Sequence, residues 1–171
     1  MPGTITPGQV FDHLLEVHKG NRLSSNLDKA AGIEDGVTGI VRGRALYLSV
    51  NQLWVMGIAD GVMTCFALQG QNDFDTNGDV GNIQTNTVTA LVATGAYELE
   101  TTEYIAGAGD YDPNDALTVS NGLGTTGQLT PGTVYVDQIC GVVSNGVVNY
   151  EQGVGITMLR FWPVWLPPVA P

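Results

Sequence analysis

The residues best equipped for chemistry in this chain are acidic. Asp73-Phe74-Asp75-Thr76-Asn77-Gly78-Asp79 follows the opening of a D-x-D-x-N-G calcium loop, in which hard oxygens alternate around a tight glycine turn. Asp73, Asp75, Asn77 and Asp79 are therefore the candidate metal ligands. Where such a loop supplies a bidentate Glu this chain has Gln84, and the flanks do not read as two helices. Ca2+ is the one metal these residues admit, a plain polar loop is the competing reading, and no cofactor is otherwise expected. Asp110, Asp112, Asn114 and Asp115 form a second acidic cluster of the same kind.

Catalytic groups are poorly supplied. The two histidines, His13 and His18, fall off a common face of a helix, and neither has a cysteine nearby. No H-e-x-x-H or C-x-x-C pattern offers zinc ligands, and no G-x-S-x-G elbow offers a nucleophile. Glu98 and Glu100 project from one face of a strand and have the residue types of a glycosidase pair, but acids on a solvated strand face are the ordinary case. An enzyme is not expected. Arg42-Gly43-Arg44 holds the one closely spaced basic pair, with both side chains on one face if the segment is extended. Arg42 and Arg44 are candidates for gripping a partner's carboxylates, against the alternative of surface arginines on an edge.

The elements that must position these residues are strands. Thr87 to Thr94 and Ala96 to Tyr104, broken at Gly95, are rich in β-branched and aromatic residues. In the second run Tyr97, Leu99 and Thr101 alternate with Glu98, Glu100 and Thr102. That predicts a half-buried strand with an acidic, solvated or partner-facing side. Further strands are predicted at Val37 to Val41, Arg44 to Val50, Leu53 to Ile58, Val62 to Leu68, near Leu117, at Val134 to Val143, Val147 to Tyr150 and Ile156 to Trp162. Asn51-Gln52, Asp60-Gly61 and Asn145-Gly146 read as turns, the last being the strongest hairpin signal. Gly70 to Thr85, Gly107 to Asp115 and Asn121 to Gly127 read as loops. One helix is expected, over Pro7 to Lys19. A capping box at Thr6 to Gln9 introduces Val10, Leu14 and Val17 at helical spacing, and the alternative is an extended arm that orders on a partner.

Composition agrees with an all-β chain: 23 glycines in 171 residues, and only 13% charged residues. The expected architecture is a single β-sandwich or β-barrel, possibly a jelly roll, spanning 37–171, with residues 1–36 as an N-terminal helix or arm. Five of the six basic residues lie in the first 44 positions, and Ala45 to Leu159 contains 12 acids with no Lys or Arg. Such a body repels nucleic acid and anionic membrane and can attract a basic protein surface. No run reaches the roughly 18 apolar residues of a membrane span. Cys65 and Cys140 sit inside apolar runs, and with no leader pattern they read as buried free thiols of a protein made in a reducing cytoplasm.

From about residue 161 the chain becomes an extended tail, Phe161-Trp162-Pro163-Val164-Trp165-Leu166-Pro167-Pro168, whose prolines suit an edge. Trp162 and Trp165 either fold back on their own domain or dock on another subunit. Together with Val41 to Arg44, Asn72 to Asp75, Leu91 to Tyr104, Tyr111 to Thr118 and Gly141 to Ser144, this tail resembles the head-decoration (cement) proteins of tailed bacteriophages. The likeness runs from about Val41 to the C-terminus. It implies a non-enzymatic β-protein, made in the host cytoplasm, that binds the outer surface of an assembled virion capsid and braces neighbouring copies of the major capsid protein. It also implies a homo-oligomer, a trimer first among the options. On this reading Phe11, Arg42, Arg44, Trp162 and Trp165 are the candidate partner-binding residues, and the N-terminal segment and the tail reach between subunits. A virion surface adhesin or carbohydrate-binding module is the alternative.

Overall fold

The computed structural model describes residues 13–19, 28–68, 70, 87–92, 97–150 and 155–168. The acidic loop holding Asp73, Asp75, Asn77 and Asp79, together with Phe11, lies outside these residues. In chain order the strands are β1 (Leu15–Lys19), β2 (Asp28–Gly32), β3 (Ala45–Leu48), β4 (Trp54–Met56), β5 (Cys65–Ala67), β6 (Thr87–Val92), β7 (Glu98–Thr101), β8 (Ala116–Val119), β9 (Leu129–Pro131), β10 (Ile139–Asn149) and β11 (Thr157–Leu166). They form two antiparallel sheets, ordered β1-β7-β11-β10-β8-β9 and β2-β6-β5-β3-β4. The fold is all-β, as the strand periodicity predicts.

The sheets are held face to face by one apolar core. Leu99, Leu117, Leu129, Leu159 and Phe161 from the larger sheet meet Ala45, Phe66 and Leu91 from the smaller. The rings of Phe66 and Phe161 pack edge to face across the gap at 5.3 Å. The smaller sheet is buried on its other side as well, by Ile33, Ile40 and Trp54. Its strand β5 is therefore apolar at every position, not alternating, which is what burial on both faces requires. Trp54 donates its indole N–H to the Val88 carbonyl at 2.8 Å, and Glu34 N bonds the Trp54 carbonyl at 3.0 Å. A bridge between Ile33 and Trp54 brings the two edges of the smaller sheet together, so it curls into a half-barrel.

Four sequence expectations are corrected. Residues 15–19 are strand, not the end of a helix: β1 pairs with β7, and Leu14 exchanges bonds of 2.8 Å with the hydroxyls of Thr102 and Thr101. The open edge of β7 supplies a ladder that outweighs helical spacing, and Leu15 is drawn into the core. Asp28–Gly32, which falls in the stretch expected to be an N-terminal helix or arm, pairs with β6 as a strand. Val37 to Val41 is not a strand: Val37 N turns back to the Glu34 carbonyl and Ile40 plugs the second core. Asn145-Gly146 is not a hairpin turn either. It lies inside β10 as a bulge, where the register against β11 shifts between Val143 and Gly146. The hairpin closes beyond it, with Tyr150 N bonded to the Ile156 carbonyl.

Gly146 has φ +70°, and a Cβ there would sit 2.9 Å from the Tyr111 carbonyl oxygen. Asn145-Gly146 thus supplies the positive φ that the sequence advertised, used to admit the 105–115 loop and not to reverse the chain. Gly146→Ala is expected to lower stability by about 1–3 kcal/mol in urea unfolding. Gly146→Asn, although tolerant of positive φ, should recover only part of that, because its Cβ meets the same carbonyl.

Candidate functional site

The acidic side of β7 is the first place to look. It is not solvated: Glu98 and Glu100 are 2% and 7% exposed, and Glu103, two residues past the strand, is 2% exposed. The expectation of a wet acidic face is overturned because cations from distant parts of the chain cover it. Arg160, beside Glu100 in the β11–β7 register, donates from Nε to Glu100 at 2.8 Å. His18 Nδ1 approaches the same carboxylate at 3.8 Å. Glu103 is clamped harder. Arg44 Nε lies against one oxygen, His13 Nδ1 against the other at 2.5 Å, and Gln128 Nε2 donates at 3.4 Å.

The turn between the two candidate arginines makes this possible. Val41–Arg44 is not extended: Arg44 N bonds the Val41 carbonyl, and Gly43 has φ +90°. A Cβ at Gly43 would lie 2.6 Å from Thr101 Oγ1, so only glycine lets the turn press on the end of β7. Arg44 is thereby aimed inward, and its Nη1 reaches the Thr126 carbonyl at 2.5 Å. Arg42 is half-buried near Tyr150, and its Nε is buried without a hydrogen-bond partner among the described residues. Tyr150 in turn donates to Glu16 at 2.9 Å, and burial with that carboxylate beside it pushes its hydroxyl up to about 12.

Of the tail residues, Trp165 folds back and donates its Nε1 to the Val62 carbonyl at 3.1 Å. Trp162 is 37% exposed. Trp165 thus takes the first of the two fates that the sequence left open, folding back on its own domain. β11 is flanked by β10 and β7 as far as Phe161, and beyond it pairs only with β10 among the described residues. So Arg44 and Trp165 have internal partners, while Trp162 faces outward and Arg42 lies apart from it on the 42–43 turn. No family model, curated protein or solved structure matches the chain.

Little else in the described residues has the geometry of a reaction centre. No group of three or more His, Cys, Asp and Glu could hold a metal among them. In the second acidic cluster, Asp115 Oδ2 accepts from Asp112 N at 3.0 Å, which closes a turn. Cys65 and Cys140 are buried free thiols. Burial pushes the Cys65 thiol up to about 12 and Cys140 higher still, so both remain protonated and poor nucleophiles. The feature that sequence reasoning missed is the exposed run Val134, Tyr135 and Val136, at 44%, 73% and 70%. It read as strand, but the Pro131-Gly132 pair just before it was an available turn signal.

Two predictions follow from these burials. Arg44→Met leaves Glu103 buried beside a neutral side chain and should cost about 3–5 kcal/mol. Arg44→Met combined with Glu103→Leu should recover most of the loss, as read from urea midpoints in a double-mutant cycle. The thiols set the second. Their protonated forms are favoured in the fold, so their contribution is full below the unfolded value near 9 and is lost as pH rises towards 12. The urea midpoint should therefore fall from about pH 9 upward, and Cys65→Ala should flatten that slope. Ellman's reagent should titrate both cysteines only after denaturation.

Proposed function

We propose that this protein is a non-enzymatic decoration protein that binds the outer surface of an assembled phage capsid and braces neighbouring major capsid subunits. The observation that carries the reading is where the phrases of the resemblance fall. Leu91 to Tyr104, Phe161 to Pro167, Gly141 to Ser144 and Tyr111 to Thr118 lie widely apart in sequence. Leu91-Val92 end β6 of the smaller sheet and Asn72 to Asp75 lies outside the described residues, but the other strand residues of these phrases fall on β7, β11, β10 and β8, which are consecutive neighbours in the larger sheet. Val41 to Arg44 packs against the end of the same sheet through Gly43 and Thr101. That most of these phrases fall on neighbouring strands supports a scaffold role.

The physical character of that piece suits a brace. Its charges are largely neutralised within the chain, through Arg44 with Glu103 and Arg160 with Glu100, so the sheet is rigid without needing a charged partner. Its outer rim carries apolar side chains, Trp162 and Leu166, in positions that a solitary protein fills with polar ones. Repetition over a shell turns a modest contact into high avidity. A homotrimer on the virion exterior is the assembly this reading favours.

The competing reading, a carbohydrate-binding module, is favoured by an open depression of about 380 Å3 lined by Tyr104, Asp110, Tyr111 and Asp112.

Co-sedimentation with capsids built from the major capsid protein of the same genome separates the two. Saturable binding to mature shells, weaker binding to unexpanded ones and a higher temperature of capsid disruption are the expected results. Binding to neither shell, with a positive glycan array, would transfer the assignment to the carbohydrate reading.

A further inference from the structure

The outward face of the larger sheet changes character along β11. Arg160 is half-buried and Trp162 exposed, and past Pro163, where the register against β10 shifts, Leu166 at the strand end is exposed again. Arg160 is held by Glu100, but Trp162 and Leu166 are 37% and 49% exposed. Beside Leu166 stands the 133–137 turn, which presents Val134, Tyr135 and Val136 to solvent. Tyr135 has φ +72°, a left-handed conformation that an aromatic residue rarely adopts. Thr133 over-determines it: its carbonyl accepts from Val136 N and Asp137 N, and its own N–H is capped by Asp137 Oδ2 at 2.8 Å. Strain maintained in order to display an apolar ring is a mark of a contact site. Between the turn and the strand end lies a groove of about 270 Å3 lined by Val134, Tyr135, Ile139, Leu166 and Pro167.

The turns beside this groove carry acids. Asp137 belongs to the turn itself. Asp60 is exposed on the Ala59–Val62 turn, which is tied to the same corner by Gly61 N to Gln138 Oε1 at 2.8 Å and by Trp165 Nε1 to the Val62 carbonyl. No Lys or Arg occurs between Ala45 and Leu159, and Arg160 is already neutralised. We infer that the groove is the docking site for an extended apolar segment of the capsid subunit that carries Lys or Arg at its flanks. This inference rests on the decoration reading and gives it a surface. A second copy of this chain fits less well. Pairing two such faces about a two-fold axis would bring Asp60 and Asp137 of one copy towards those of the other, in a protein of net charge −11.

The test places benzoylphenylalanine at Tyr135 of the full chain and irradiates it on mature capsids. The expected cross-linked peptide comes from the capsid subunit, is apolar, and has a Lys or Arg within a few positions. Tyr135→Asn, which relieves the left-handed strain, should weaken capsid binding at least about tenfold with no loss of thermal midpoint. Asp60→Lys should weaken it several-fold at low salt, with the effect shrinking as salt is raised. A cross-link to another copy, or undiminished binding by Tyr135→Asn, overturns the groove as the capsid site. In both cases the decoration reading survives if the wild type binds. Failure of the wild type to bind any shell overturns both.

Discussion

A carboxylate removed from water has to meet positive charge, and acids are buried along β7 and just beyond its end. Glu103 is met by Arg44 from the 42–43 turn and by His13 from the segment before β1, and Glu100 by Arg160 from β11. These pairs draw three separate stretches of a chain poor in cations onto β7 and its end. Buried ion pairs contribute little net stability, because desolvation offsets most of the attraction. Their physical effect is to make other arrangements costly. A slip of β11 against β7 by one residue would turn Arg160 into the core and leave Glu100 unpaired.

The same scarcity of cations shapes the surface. With Arg44 and Arg160 drawn inward, the part of the chain from Ala45 to Leu159 has only acids left to display. The apolar residues that reach solvent, Tyr135, Val136, Trp162 and Leu166, sit at one end of the larger sheet against that acidic background. Shape, apolar contact and long-range field therefore all favour a partner that is apolar at its centre and basic at its margin. Two protonated, buried cysteines and an inward-facing tryptophan keep the interior chemically quiet.

Much of the fold was legible in the sequence. Runs of β-branched, aromatic and apolar residues between turn signals located β3, β4, β6 and β11, and alternation located β7, although the face it marked as wet is buried. It failed where tertiary pairing overrode local preference. Leu14, Leu15 and Val17 satisfy helical and strand periods alike, and the unpaired edge of β7 decided between them. Asn145-Gly146 encodes positive φ, which a hairpin and a bulge use equally; only the neighbouring Tyr111 carbonyl selects the bulge. The candidate site was legible in part. Trp162 was identified from its type and its prolines, whereas Tyr135 was hidden inside an apolar run that reads as strand.

What the sequence by itself determined is the class of protein: all-β, acidic, with free buried thiols and an aromatic C-terminal strand. Composition and periodicity suffice for that, since they register how much surface must be buried and at what spacing. Which charges are visible to a partner was decided only in three dimensions. Glu98 and Glu100 read as a wet face, yet both are buried, with Arg160 brought from β11 onto Glu100, while Arg44 and His13 close on Glu103 just beyond the strand. Burial of a charge depends on who else is present, and a one-dimensional pattern does not carry that information.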